Sequence, residues 1–441
     1  MPEPTVKGLV SPFQLPVSAS LDESEWGSIL QPYLKNALVS QGQYTGHEIS
    51  RHLDFFCDYV VRWLGPGPMY DSGTVKAQFP SSLTNDHTPF ELSLCWKSNK
   101  QKGRPVVRYV TDVIPPNLEA SRMAAFEAAL TVIGTLEQAS IRCASDGLDL
   151  RIFPKLWTKA TKEMIEFEHQ AHGSTACSRC SPSGVFVAFD LVASEAFGKL
   201  YWLFPVCLTT SEVCQGIMRT LRSCIEAEPG FSTVVSSWTK VQQYISQYPG
   251  VLQPRMLSID TTRYPQWRVK VYVRCIFHNT NRFEYLEPHL TLGGAISPPE
   301  SFQETCRSSW TSLTSQDRDD VPGIGPKYCL LMYDLPAGAM QKMSAKLYVM
   351  CQEIPRVDSF IARCLYDSCT VLQSAEIIKE MSQSSDPTAY ICEIGLAPRD
   401  IDTEVSIYCS PSYSAQWSWR DKIEANGYMK KKRRVIPRKS E

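Results

Sequence analysis

From about residue 90 onward the apolar segments come in couples. Glu91–Trp96 is followed by Val106–Val113, Val185–Val192 by Lys199–Val206, Met256–Asp260 by Trp267–Cys275, Tyr328–Leu335 by Ala345–Cys351, and Tyr390–Leu396 by Glu404–Ser410. Each segment is rich in Val, Ile, Phe and Tyr, and polar or Gly/Pro-containing turns separate the members of a couple. The pattern predicts five β-hairpins. Between couples the apolar spacing lengthens to three and four, which predicts helices over Asn117–Arg142, Trp157–His169, Ser211–Ile225, Phe231–Tyr248, Ser301–Ser312 and Asp358–Ser382. Helical spacing also runs from Glu23 to Gly65, where Gly65-Pro66-Gly67 ends it.

Ten mostly antiparallel strands interrupted by helices describe an α+β chain, and closing the strands into a barrel removes every exposed edge. The helices then form an outer ring. The faces of the strands agree with this arrangement. Arg268, Lys270, Tyr272 and Arg274 alternate with Val269, Val271 and Val273. Residues two apart share a face, so one face is cationic and phenolic and the other aliphatic. Lys199 and Tyr201 repeat the pattern against Leu200 and Trp202, Lys346 and Tyr348 against Leu347 and Val349, Ser406 and Tyr408 against Val405 and Ile407. Arg108 stands between Val107 and Tyr109. Any single strand with one face in water shows such alternation. Its recurrence on the second member of successive hairpins predicts that the cations and tyrosines converge in a lumen wide enough for a ligand.

Composition narrows the class. The chain has 441 residues, 43% hydrophobic and 21% charged, with Lys plus Arg at 45 and Asp plus Glu at 46, a net charge of −1. That balance leaves no electrostatic footprint for nucleic acid or a membrane surface, and no apolar run reaches the roughly 20 residues of a membrane span. The run Lys430–Arg434 reads as a solvated tail. Residues 1–22 are expected to form a loose arm, 23–425 one barrel domain and 426–441 a basic tail. The N-terminus has no apolar signal core. The sixteen cysteines, among them Cys95, Cys207, Cys275, Cys329, Cys351, Cys392 and Cys409, lie scattered through apolar runs and read as buried free thiols of a cytoplasmic protein.

Buried cations are costly unless paired. These faces offer few carboxylates in the sequence pattern, so the cluster implies an anionic ligand, and Arg and Lys match phosphate oxygens. A tyrosine ring beside them attracts a carbocation. Together they point to ionisation of an allylic diphosphate. No Gly-rich phosphate loop is present. The acids of Asp317-Arg318-Asp319-Asp320 read as a solvated loop, and Cys177-Ser178-Arg179-Cys180, with only His169 and His172 near it, reads as incidental loop cysteines, so no metal is expected. Glu91 opens a strand after the turn-like Asn85–Pro89. From the residues alone it is a surface turn carboxylate or, at a barrel mouth, an acceptor for a substrate N–H or O–H.

Asp86-His87-Thr88-Pro89-Phe90-Glu91-Leu92-Ser93, the Arg108 strand, Lys199-Leu-Tyr201, Arg268-Val-Lys270-Val-Tyr272, Thr291-Leu-Gly293-Gly294, Lys346-Leu-Tyr348 and Ile407-Tyr408, in this order and spacing, resemble the fungal dimethylallyltryptophan synthase family of aromatic prenyltransferases. The likeness runs from about Tyr44 to Pro411. It implies an αββα (ABBA) barrel and metal-independent transfer of a dimethylallyl group from dimethylallyl diphosphate to an aromatic carbon, commonly on indole. By the same resemblance Arg108, Lys199, Arg268, Lys270 and Lys346 bind the diphosphate, and Tyr201, Tyr272, Tyr348 and Tyr408 shield the allyl cation. Glu91 takes the indole N–H, and Glu91, Lys199 and Lys270 are the catalytic set. Two positions depart from the family. Phe186 stands where tryptophan-prenylating members carry the lysine assigned to the last deprotonation, which implies an acceptor bulkier than tryptophan, such as an indole diterpene or alkaloid. Leu203 stands where some members add a tyrosine. The expected partners are dimethylallyl diphosphate and an aromatic small molecule, without resident cofactor, nucleic acid or membrane; homodimerisation is left open. A phenolic polycycle (xanthone or naphthacene-type polyketide) is the alternative acceptor, and a non-catalytic barrel binding a phosphorylated small molecule the alternative of another class.

Overall fold

The computed structural model describes residues 26–71, 74–97, 104–115, 121–172, 177, 179–261, 267–277, 282–314, 327–336, 342–351, 391–399 and 402–411. The expected arm 1–22, the helix Asp358–Ser382, the Asp317–Asp320 cluster and the tail 426–441 lie outside them. Two helices lead, α1 (Trp26–Gln41) and α2 (Gly46–Asp58), followed by a 3-10 turn at Val60–Trp63 and a small hairpin, β1 (Met69–Asp71) with β2 (Thr74–Lys76). Then come β3 (Phe90–Trp96), β4 (Val106–Asp112), α3 (Arg122–Ser145), β5 (Asp149–Arg151), α4 (Pro154–His172), β6 (Val185–Val192) and β7 (Glu195–Leu203). The second half runs α5 (Thr210–Ser223), α6 (Phe231–Ile245), β8 (Leu252–Thr261), β9 (Trp267–Ile276), α7 (Phe283–Leu290), α8 (Glu300–Thr314), β10 (Tyr328–Leu335), β11 (Ser344–Met350), β12 (Ile391–Arg399) and β13 (Asp402–Cys409).

All five expected hairpins form: β3–β4, β6–β7, β8–β9, β10–β11 and β12–β13. The sheet runs β7-β6-β4-β3-β13-β12-β11-β10-β9-β8, and β8 pairs back to β7, so ten antiparallel strands close a barrel. The fold is the αββα barrel. Pattern reading missed β1, β2, β5 and α7. Three of these are strands of three residues and α7 is a helix of eight, too short to show a period. Among the described residues no helix is long and apolar enough to cross a membrane.

Apolar side chains gather in two separate bodies. The large one lies between helices and barrel, where Leu200, Trp202, Val269, Val271, Leu347, Val349, Val405 and Ile407 are buried. Burial of that aliphatic outer face drives closure, at about 25 cal/mol per Å² removed from water. The small one is inside the barrel: Tyr272, Met332, Tyr348 and Tyr408, with Tyr201, Met256 and Leu330 packed on it. Helices seat on the barrel through specific contacts as well. The Trp157 indole on α4 donates to the Ile259 carbonyl at 3.2 Å, and Trp202 donates to the Thr161 hydroxyl at 3.0 Å. Capping boxes begin α2, with Thr45 and Glu48, and α5, with Thr209 and Glu212.

The seat of α4 is tight at one point. A methyl group on Gly198 would meet Trp157 Cη2 at 2.8 Å and Ile152 Cγ2 at 2.9 Å. Gly198→Ala should therefore destabilise the fold by about 1–3 kcal/mol, as overpacked cores do. Urea denaturation followed by tryptophan fluorescence checks this; an unchanged midpoint would mean that α4 does not bear on β7 so closely.

Candidate active site

Because every neighbouring pair in the barrel is antiparallel, the second strands of the five hairpins all run the same way. A cation-x-Tyr sequence on several of them places cations at one level and tyrosines about 7 Å further along the strands. The structure shows these two levels. Arg108 (β4), Lys199 (β7), Lys270 (β9) and Lys346 (β11) occupy the first level, and Arg268 (β9) extends it two residues nearer the hairpin turn. They lie towards the end where the hairpins turn, and Arg268 marks where this level meets solvent, its side chain 38% exposed.

Each cation touches a carboxylate. Asp190 on β6 lies 3.2 Å from Arg108 Nε and 2.5 Å from Lys199 Nζ. Asp260 on β8 binds Lys270 and lies 3.7 Å from Arg268, which also reaches Asp334 on β10 at 3.8 Å. Glu404 on β13 lies 3.7 Å from both Arg108 and Lys346. The reading that these faces hold few carboxylates is thus corrected. Asp190, Asp260 and Asp334 sit on the first strands of their hairpins, opposite Arg108, Arg268 and Lys270 in register. Glu404 lies on β13 two residues before Ser406 and so shares its face. Only strand pairing brings the two signs together.

The electrostatics follow from burial and pairing. Burial would raise the Glu404 carboxyl, but Arg108 and Lys346 hold it down at about 2. Asp190 is likewise held well below the usual carboxylate range, against its burial, by Arg108 and Lys199. Burial lowers Lys199 to about 8 despite Asp190, and lowers Lys346 despite Glu404. Burial raises the Asp334 carboxyl, with Arg268 acting against it.

At the second level the rings of Tyr201, Tyr272, Tyr348 and Tyr408 form an unbroken arc, with successive centroids 5.8, 5.8 and 5.7 Å apart. Lys346 Nζ lies 4.9 Å from the Tyr348 centroid and 5.8 Å from that of Tyr408, tying the two levels. Gly395 leaves room for it: a Cβ there would fall 2.5 Å from Lys346 Cε. The arc walls a cavity of about 640 Å³, which Glu91 and Phe186 also line. The five cations are outside the cavity's lining, on the far side of the tyrosines.

Glu91 is 6% exposed, so the surface-turn reading of it is overturned. The turn before it is fixed by Asp86, which accepts from the hydroxyls of Thr84 at 2.7 Å, Thr88 at 2.8 Å and Ser410 at 3.0 Å. Phe186 lies opposite Tyr201 in register and Leu203 also lines the wall. A second carboxylate, Glu393, escaped pattern reading. A bulge between Ile391 and Glu393 breaks the alternation, and Cys392 and Glu393 both face the cavity. Glu393 is paired with Tyr408, and burial raises its carboxyl to about 7, with Lys346 acting against that.

The Cys177–Cys180 motif has neighbours that its sequence spacing does not show. Cys207, read as a core thiol, is only half-buried and lies with Cys177, Cys180 and His172 in one cluster just past the end of β7, where Cys180 and Val206 line the cavity.

Glu404 supplies a test of the paired level. A carboxyl held below its ordinary value of 4.5 contributes stability that is present above that pH and is lost as pH falls towards about 2. Glu404→Gln should therefore be less stable than the parent at neutral pH, and the gap should close over that acid range. Thermal unfolding at a series of pH values measures it; a gap independent of pH would refute the pairing.

The sequence profile of the tryptophan dimethylallyltransferase family matches residues 22–383. The O-glucose prenyltransferase PaPT of Phomopsis amygdali is 22% identical over 417 residues, spanning 88% of this chain and 85% of that protein. The 7-dimethylallyltryptophan synthase hasE of Aspergillus fumigatus is 24% identical over 284 residues, 60% of this chain and 56% of that one. The crystal structure of AnaPT from Neosartorya fischeri, at 17% identity, superposes over 87% of this chain and 92% of its own with a TM-score of 0.62, which shows a shared fold. With its ten-stranded barrel and a profile match over most of its length, this chain belongs to the tryptophan dimethylallyltransferase family of aromatic prenyltransferases.

Proposed function

We propose that the protein transfers a dimethylallyl group from dimethylallyl diphosphate to an aromatic carbon of an indole-containing secondary metabolite bulkier than free tryptophan. One observation carries this reading: an arc of four tyrosine rings separates a level of five cations from a cavity that holds Glu91. The diphosphate sits against Arg108, Lys199, Arg268, Lys270 and Lys346, displacing their weaker contacts to Asp334 and Glu404, and the allyl chain passes between the tyrosines. As the C–O bond breaks, negative charge grows on diphosphate oxygens already faced by fixed ammonium and guanidinium groups. The tyrosine faces stabilise the allyl cation and keep water from it. Glu91 accepts the acceptor's N–H and orients the ring; the ring carbon forms the new C–C bond, giving an arenium ion. Its proton goes to Glu393, the other carboxylate of the cavity, which flanks Tyr408 from the opposite strand. No step calls on a metal ion, since Lys and Arg meet the diphosphate charge.

Phe186 widens the apolar wall beside Tyr201, which suits a polycyclic acceptor. The same flat wall favours, as a second reading, a xanthone or naphthacene-type phenol donating its O–H to Glu91. Mass spectrometry of products from tryptophan, a cyclic dipeptide, an indole diterpene and a hydroxyxanthone distinguishes the two. Diphosphate release with none of them would favour a binding barrel without catalysis.

Two variants test the roles. Lys270→Ala should lower turnover about 10²–10³-fold, the scale of removing one fixed donor to developing charge; full activity would sink the assignment. The Glu393 base must be ionised, so turnover should rise with pH through about 7 and Glu393→Gln should abolish that limb. A pH profile unaltered in the variant would rule the carboxylate out as the base.

A further inference from the structure

Three chain segments meet near the cavity mouth: the last turn of α4, the segment leading into β6, and the segment from β7 to α5. They bring together His172, Cys177, Cys180 and Cys207, whose ring nitrogen and three sulfurs all lie within 4.8 Å of one another. His172 Nε2 is 2.9 Å from Cys207 Sγ, and Cys180 Sγ is 3.4 Å from Cys207 Sγ. Around a tetrahedral zinc ion, with Zn–S about 2.3 Å and Zn–N about 2.0 Å, neighbouring donors lie roughly 3.5–3.8 Å apart. Both observed distances fall a few tenths of an ångström short of that spacing, and all four donor atoms lie inside the 4.8 Å that a single ion has to span.

The surroundings are those of a ligand set held for a metal. His172 Nδ1 lies 3.0 Å from Glu168 Oε1, and Glu168 is in turn held by Arg122 Nε at 3.1 Å. Arg122 also donates to the Ser183 carbonyl at 2.7 Å. With Nδ1–H given to a carboxylate, the lone pair of the ring is on Nε2, the nitrogen that faces the sulfurs. Carboxylate–histidine pairs orient zinc ligands in this way. The Cys180 N–H donates to the Cys177 carbonyl at 3.1 Å, which ties the two cysteines together. One disulfide could consume only two of the three sulfurs.

We propose that His172, Cys177, Cys180 and Cys207 bind a structural zinc ion. Four protein ligands leave no open position, so the ion takes no part in prenyl transfer. It acts as a clasp: Cys180, Ser181 and Ser183 on one side of it, and Leu203, Phe204 and Val206 on the other, line the acceptor cavity. Fixing the Cys177–Cys180 pair to α4 and to the β7–α5 segment fixes the shape of the entrance. The inference stands apart from the catalytic reading, since the ligands touch none of the cations or tyrosines of the barrel.

The full chain, purified without chelator and freed of any histidine tag, should carry one zinc ion per molecule by inductively coupled plasma mass spectrometry. After removal of that metal, added Co²⁺ should produce the visible d–d bands and sulfur-to-cobalt charge transfer of a tetrahedral thiolate site. Cys207→Ser should lose the stoichiometric zinc and melt at a lower temperature, one that a chelator no longer depresses. The proposal is overturned if the parent holds no stoichiometric zinc and gives no thiolate–cobalt spectrum. A Cys180–Cys207 disulfide found by peptide mapping of the parent protein would also overturn it. Because the cobalt spectrum is recorded on the parent chain, the test survives a variant that does not fold.

Discussion

Cations crowded inside a barrel repel one another and lose their water, and this structure meets both costs by giving each of these five a carboxylate neighbour. Asp190 bridges Arg108 and Lys199, Glu404 bridges Arg108 and Lys346, and Asp260 bridges Lys270 and Arg268. Removing a partner from such a buried pair leaves an uncompensated charge, which is far more damaging than the pair is stabilising. The lumen is therefore a network in which each side chain depends on its neighbours. The positions of five ammonium and guanidinium groups are set before any ligand arrives.

That order has a bearing on catalysis. Charge stabilisation is strong where dipoles and ions need not reorganise as the reaction proceeds. The acids weaken the attraction for an incoming anion, yet they hold Lys and Arg in place. Arg268, at the solvent edge with two distant acid contacts, is the loosest member, and Lys270, bound to a wholly buried Asp260, the tightest. The tyrosine arc sits between this polar level and an apolar cavity, so one barrel sets a cationic level and an aromatic level two residues apart along its strands.

The entrance is built by different means. Where the barrel interior rests on strand pairing, the mouth rests on segments joining helices to strands, which have few neighbours to hold them. The Arg122–Glu168–His172 chain and the cysteine cluster bind those segments to α4. Asp86 does the same for the turn that delivers Glu91, through three hydroxyl groups. Polar contacts thus compensate where apolar burial runs out.

The five hairpins and the cation-x-Tyr faces were legible in the sequence because period-two alternation is a local property of a strand, and the outer helices among the described residues because their longer apolar spacing is equally local. Arg108, Lys199, Lys270, Lys346 and the four tyrosines needed only that alternation to be placed on one face. Their family resemblance named the roles, and without it Glu91 read first as a surface acid. What the tertiary structure alone decided were relations across strands and segments. Asp190 belongs to Arg108 through the β4–β6 register, Glu393 reaches the cavity through a bulge that breaks the alternation, and Cys207 joins Cys177 and Cys180 from another segment. Sequence order fixes which way a side chain points along its own strand; its neighbours in space depend on register and closure, which the whole barrel sets at once.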